Sequence, residues 1–193
     1  MTDKLSDPAV NTDSVTDSDA DSDTDWDTDW GPEQSRTVTW HDPAGPARAG
    51  LGMAGIDYLR AIVDGRIPSP PIAQLMQMQL VEVEAGRAVF TSRPDQSVYN
   101  PIGVVHGGLV CTLLDSVAGC ALHSTLQAGK GYTSVEIKIS YLKAVRESSG
   151  LLTAVGTVVK AGSRVAFTEG VVRDESGALV ATATSTLLVF DLR

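Results

Sequence analysis

The chain has 193 residues and a formal net charge of −9, length enough for one ordinary domain with additional material. The acidity is local: residues 1–35 hold eleven Asp and Glu against one Lys, and the rest holds thirteen acids against fourteen Lys and Arg. A near-neutral folded part without a concentrated basic surface excludes a nucleic-acid binder, and no stretch approaches the roughly 18–20 apolar residues of a membrane span.

From Asp17 to Asp29 an Asp stands at every second position. Seven like charges on one strand face would repel, and the residues between them are mostly small and polar, so residues 1–35 read as a disordered acidic leader. Asp25, Asp27 and Asp29 are spaced like the first ligands of an EF-hand. Trp30, however, stands where that loop needs glycine, and no Glu closes it, so no metal is expected. The acidic N-terminus also lacks the apolar core of a secretory signal. Cys111 and Cys120, nine residues apart in one apolar helical run, point to roughly opposite sides of a helix and cannot bond to each other there. Two reduced thiols fit a cytoplasmic protein.

Order is expected from near Thr37. The spacing of Met53, Ile56, Tyr58, Leu59, Ile62 and Val63 predicts one helix over Gly52–Asp64, stopped by Gly65. Pro68, Pro70 and Pro71 predict an extended connection. Alternation then predicts a strand over 76–84, a turn at Gly86 and a returning strand over 87–93. After a loop containing Asn100, the run from Leu109 to about Leu126 is apolar nearly all round, as a helix buried on most sides would be. Val135, Ile137, Ile139 and Tyr141 alternate with polar residues. Three more β-rich runs follow over 152–160, 164–173 and 179–190, parted by Gly162 and Gly177. One long helix among antiparallel strands implies an α+β fold with the sheet wrapped around that helix.

Asp115 falls in the middle of the apolar helix. Cys111, Ala118 and Gly119 share its face and leave room for something to approach. A buried carboxylate must be neutralised, paired or opened to a site, so Asp115 is either a functional acid or a structural, interface one. Gly107 and Gly108 open the helix, where unpaired N–H groups and the positive dipole end can receive an oxyanion. His106 and Asn100 supply hydrogen-bonding groups just ahead of it, although a lone His beside a turn is more often structural. His41 and His123 read as surface groups. Gly103, Gly107 and Gly108 do not fit a dinucleotide or phosphate-cradling motif, so no cofactor is expected.

The combination Asn100-x5-His106-Gly107-Gly108-x6-Asp115 resembles the hotdog-fold thioesterases of the phenylacetate-pathway (PaaI-like) type, within the 4-hydroxybenzoyl-CoA thioesterase superfamily. Tyr132–Leu142 is similar to the family's strand after the helix, and Gly162–Phe167 with Asp174–Ala181 to its closing hairpin. The resemblance covers residues 72–193, the expected thioesterase domain, while residues 36–71 resemble an N-terminal extension of some members. It implies a hotdog fold, an acyl-CoA substrate, and a homodimer or homotetramer whose sites lie between subunits. Gly107 would polarise the thioester carbonyl. Asp115 of the other subunit would activate water or attack directly, and Asn100 and His106 would orient the reactants. Ser134 matches a hydroxyl that assists water in some relatives. Strand alternation nevertheless groups Ser134 with Glu136 and Lys138, which leaves Thr133 as a competing candidate. A hotdog hydratase or dehydratase, using His106 and Asp115 as its acid–base pair, and a non-catalytic acyl-CoA-binding module are the alternatives.

Overall fold

The computed structural model describes residues 29–192, so most of the acidic leader lies outside the described residues. Residues up to Ser35 form one unit and Arg36 onwards another. In the first, Asp29 accepts a hydrogen bond from the Gly31 amide at 2.8 Å, closing a small turn.

The second unit begins with three helices rather than the single one expected before residue 72. They are α1 (Ala44–Leu51), α2 (Gly55–Val63) and α3 (Pro71–Leu75). The helix predicted over Gly52–Asp64 is interrupted near Gly52, and α1 lies ahead of the predicted span with no buried residue to give it an apolar period. In α2, Leu59 and Ala61 are buried and Ile56 and Ile62 pack against the core. Gly55 sets its approach: a Cβ there would lie 1.8 Å from the His123 carbonyl oxygen, and the Gly55 N–H donates to the Leu126 carbonyl at 2.9 Å. The connection expected from the prolines is extended through Pro70, and Pro71 then opens α3 at a position where its missing N–H costs nothing. Gln77 takes a left-handed conformation (φ 51°) between α3 and the first strand, so that strand starts at Met78 rather than 76.

Strands β1 (Met78–Glu84), β2 (Arg87–Ser92), β3 (Lys130–Tyr141), β4 (Leu152–Ala161), β5 (Val165–Arg173) and β6 (Leu179–Asp191) form one antiparallel sheet in the order β1-β2-β4-β5-β6-β3. The long helix α4 (Gly107–His123) enters between β2 and β3 and touches every strand, so the sheet wraps around it as the hotdog resemblance implies. Leu113, Leu114, Val117, Ala121 and Leu122 are fully enclosed at its centre. Gly156 and Gly170 admit the helix: a Cβ on Gly156 would lie 2.4 Å from the Val117 carbonyl oxygen.

Alternation along the strands is interrupted at four places, between Leu80 and Glu82, Val158 and Lys160, Leu179 and Ala181, and Ser134 and Glu136. The last of these shapes the site. Ser134 pairs with Leu187 and Glu136 with Thr186, leaving Val135 as an extra residue, 64% exposed. Such a bulge exchanges the two faces of a strand. Ile137 and Ile139 therefore face the core beyond the bulge, and Tyr132 packs inward before it.

Candidate active site

The five side chains or amides singled out from the sequence fall into two groups, Asn100, His106 and Gly107 at and ahead of the start of α4, and Asp115 with Ser134 further along it. Asn100 organises its own loop. Its side-chain oxygen accepts from the Ile102 N–H at 3.1 Å and the Val104 N–H at 3.3 Å, and its own N–H donates to the Val104 carbonyl at 2.8 Å. Arg146, which sequence patterns did not single out, closes the same loop by donating to the Gly103 carbonyl at 2.8 Å. His106 follows as the N-cap of α4, its Nδ1 accepting from the Gly108 N–H at 2.8 Å. Acceptance at Nδ1 puts the proton of the neutral ring on Nε2, which is left to face a ligand.

That cap changes the expected oxyanion donors. The Gly108 amide is engaged by His106, whereas among the described residues the Gly107 N–H has no acceptor. One amide, not a pair, is therefore on offer at the positive end of the helix. Tyr141, missed in the sequence as a mere strand residue, borders it: its hydroxyl donates to the Gly107 carbonyl at 3.1 Å, and its ring would lie 3.3 Å from a Cβ on Gly107. Burial holds the Tyr141 phenol above its ordinary value, and the Cys111 thiol adds to that. It is thus a neutral donor at physiological pH.

Asp115 departs from the expectation of a buried acid. It is exposed in the single chain, because the sheet covers the Leu113, Leu114 and Val117 side of α4 and leaves a stripe of Cys111, Thr112, Asp115 and Ser116 open or only partly covered. A hydrogen bond nonetheless fixes it: Ser134 Oγ donates to Asp115 Oδ1 at 2.7 Å. With the bulge at Val135, Ser134 lies on the helix side, away from the face that simple alternation assigns, and it is Ser134 rather than Thr133 that meets Asp115. The charge on Asp115 is felt nearby. Burial raises the Cys111 thiol and pushes Cys120 up to about 12, and in both the neighbouring carboxylate adds to the shift.

His123, expected at the surface, is instead half-buried on the same side of α4. Its ring lies between Tyr58 and Tyr132, with centroids at 5.7 and 5.4 Å, and burial pushes its pKa down. Lys143 is paired with the buried Asp174 at 2.5 Å. Among the described residues no group of three His, Cys, Asp or Glu side chains is arranged to hold a metal, and no helix is long and apolar enough to cross a membrane.

The geometry has an additional consequence. Gly107 and Asp115 lie eight residues apart on one straight helix, or about 12 Å along its axis. The Gly107 amide and the Asp115 carboxylate of one chain are therefore too far apart to meet a single carbonyl group.

Comparison with known proteins agrees with this fold. The family described as the Thioesterase superfamily matches residues 102–181, from the loop after Asn100 to the start of β6. Acyl-coenzyme A thioesterase 13 of Homo sapiens is 30% identical over 94 residues, covering 49% of this chain and 66% of that protein, just under two thirds of its length. A Haemophilus influenzae protein named as an esterase is 30% identical over 98 residues, covering 51% of this chain and 70% of its own. A phenylacetic acid degradation-related protein from Ralstonia eutropha JMP134 superposes with a TM-score of 0.62 at 27% identity, over 68% of this chain and 98% of that structure. Matched by that family over residues 102–181 and covering 70% of a 30% identical relative, the chain belongs to the thioesterase superfamily.

Proposed function

We propose that this protein hydrolyses acyl-CoA thioesters to the free acid and CoA, at two equivalent sites formed between paired copies of the chain. The observation that carries the reading is the pairing of an unengaged Gly107 amide at the head of α4 with a Ser134-anchored Asp115 more than two turns further on. A second copy related by a two-fold axis supplies what one chain lacks, its Asp115 standing opposite the first copy's Gly107. β3 is an edge strand of the sheet with Asp115 beside it, so edge-to-edge joining of two β3 strands brings the two halves together. The similarity to a human acyl-coenzyme A thioesterase supports a CoA thioester as the substrate.

In this reading the Gly107 N–H donates to the thioester carbonyl oxygen and stabilises the oxyanion as it forms. Asp115 takes a proton from a water held by Ser134, and the hydroxide adds to the carbonyl carbon. The tetrahedral intermediate collapses with cleavage of the C–S bond, and the proton on Asp115 passes to the departing thiolate. In the second route Asp115 attacks the carbonyl directly and the C–S bond breaks to expel the CoA thiolate, and water then cleaves the resulting anhydride. His106 Nε2 and the Asn100 loop bound the space in front of Gly107 and orient the reactants.

The test is release of free thiol from a panel of acyl-CoAs by wild type and Asp115→Asn. Wild type releases thiol, and the variant is slower by about 10²- to 10⁴-fold. Equal rates would remove Asp115 from the mechanism. Hydration of crotonyl-CoA without thiol release would make the protein a hydratase, and binding without either reaction a carrier module.

A further inference from the structure

Between the N-terminal helices and the core lies a cavity of about 280 Å³ that the mechanism above does not use. Tyr58, Leu59 and Ile62 of α2, with the Pro68–Pro71 segment, form one side, and Cys120, His123 and Tyr132 form the other. The cavity lies further along the face of α4 that carries Asp115, beyond the point where Tyr132 covers Gly119. Asp115, Gly119 and His123 follow one another at four-residue spacing on a single face of α4, each step advancing about 6 Å. On β3, Ser134 and Tyr132 are two residues apart on the helix-facing side. Ser134 meets Asp115, Tyr132 lies so close over Gly119 that a Cβ there would be 2.8 Å from the phenol, and His123 stacks against Tyr132.

We propose that this cavity is the pocket for the acyl group, and that the N-terminal helices form its closed end and select acyl groups long or bulky enough to reach it. The inference rests on the thioesterase reading and adds the substrate class: medium-length or aromatic acyl groups rather than acetyl. Three features support it. Apart from the exposed His41, the wall is built without Asp, Glu, Lys or Arg, and burial lowers His123 and raises Tyr58, Tyr132 and the Cys120 thiol. The volume is roughly twice that of a ~150 Å³ protein cavity that binds benzene, which corresponds to about twelve apolar heavy atoms. Among the described residues neither the Tyr58 nor the Tyr132 hydroxyl has a hydrogen-bond partner, so an apolar space with a few convergent polar atoms awaits a ligand. Gly55 fixes the roof in place, because only a residue without Cβ lets α2 lie directly on the end of α4.

The test uses straight-chain acyl-CoAs from acetyl to stearoyl with the full chain and with two variants that fill the cavity from different segments, Ile62→Trp and Ser69→Trp. For wild type, kcat/KM rises about fourfold per methylene while the chain fills the cavity, then levels off. In each variant the ratio of decanoyl- to butyryl-CoA activity falls at least tenfold. An unchanged ratio in both variants, with melting curves showing that they fold, would overturn the proposal, as would a wild-type profile flat from acetyl onwards. Calorimetric titration with decanoic acid separates this outcome from failure of the thioesterase reading. If no acyl-CoA is cleaved, the hydrolytic assignment fails, while decanoate binding that either Trp abolishes still assigns the cavity to an acyl group. Absence of both rejects it.

Discussion

Replacing Gly107 by proline removes the N–H on which the oxyanion assignment depends, at the cost of a slight shift of the Tyr141 ring, which a Cβ there would meet at 3.3 Å. Gly107 is the first helical residue after the N-cap, where proline is favoured and has no intrahelical hydrogen bond to lose. His106, with φ −61° and ψ 132°, already has the extended conformation that a following proline demands. The substitution therefore removes the N–H and keeps the helix. Loss of one oxyanion donor lowers kcat by about 10²- to 10³-fold. The same variant tests whether the site is shared. With Gly107 and Asp115 about 12 Å apart on one helix, Gly107→Pro and Asp115→Asn damage opposite halves of each composite site. Mixed dimers hold one intact site and one doubly damaged site. Random exchange of equal amounts makes half the dimers mixed, so the pool recovers about one quarter of wild-type activity from two nearly inactive preparations. The assay is thiol release before and after subunit exchange, with exchange monitored by a mass tag on one variant. Exchange without recovery would show that both groups act within one chain, and full activity of Gly107→Pro alone would exclude this amide as the donor.

Ser134→Ala removes the 2.7 Å hydrogen bond to Asp115 and leaves the carboxylate in place, so kcat falls by about tenfold, far less than for Asp115→Asn; steady-state kinetics of the two variants provide the comparison. Gly156→Ala places a Cβ against the backbone of α4 at Val117, which cannot yield, and destabilises the fold by about 3 kcal/mol, or roughly 6–12 °C in Tm by calorimetry. In the turn before β6, the Asp174 carboxylate is held at about 2 by hydrogen bonds from Lys143, Ser176 and the Ala178 amide. Its folded value lies below the ordinary ~3.9, so its contribution to stability is present above about pH 4 and is lost as pH falls towards about 2. Denaturant titrations across that interval should show a shallower loss of stability in Asp174→Asn than in wild type.

Much of the fold could be read from the sequence because both relevant periods are strong in it. Period-two runs mark the hairpins, and the apolar run after Gly108 marks α4. What escaped has specific physical reasons. Helix α1 buries none of its residues, so it carries no apolar signature. A bulge adds one residue without altering composition, which is why alternation set Ser134 on the wrong face. Asp115 was expected to be buried because its neighbours in sequence are apolar, yet around a helix those neighbours occupy the other side. The environment of His123 depends on Tyr58, more than sixty residues away in the chain, and the role of Tyr141 on a hydrogen bond to Gly107 across the site. Neither contact leaves a local trace. Asn100, His106 and Gly107 were legible as a motif, but the structure was needed to show that His106 occupies one of the two amides.

The extra residue at Val135 has a consequence for solubility as well as for chemistry. β3 is twelve residues long and runs along an edge of the sheet, and a long flat edge is a template on which chains can stack without end. Placed within such an edge, a bulge bends and overtwists the strand. A flat strand from an unrelated or misfolded chain cannot follow that contour over its full length, whereas a second β3 with the same kink, rotated by half a turn, meets it in kind. In the proposed pairing of two β3 strands, the residue that aims Ser134 at Asp115 thereby also makes the edge self-limiting, open to one copy of itself and poorly suited to continued growth.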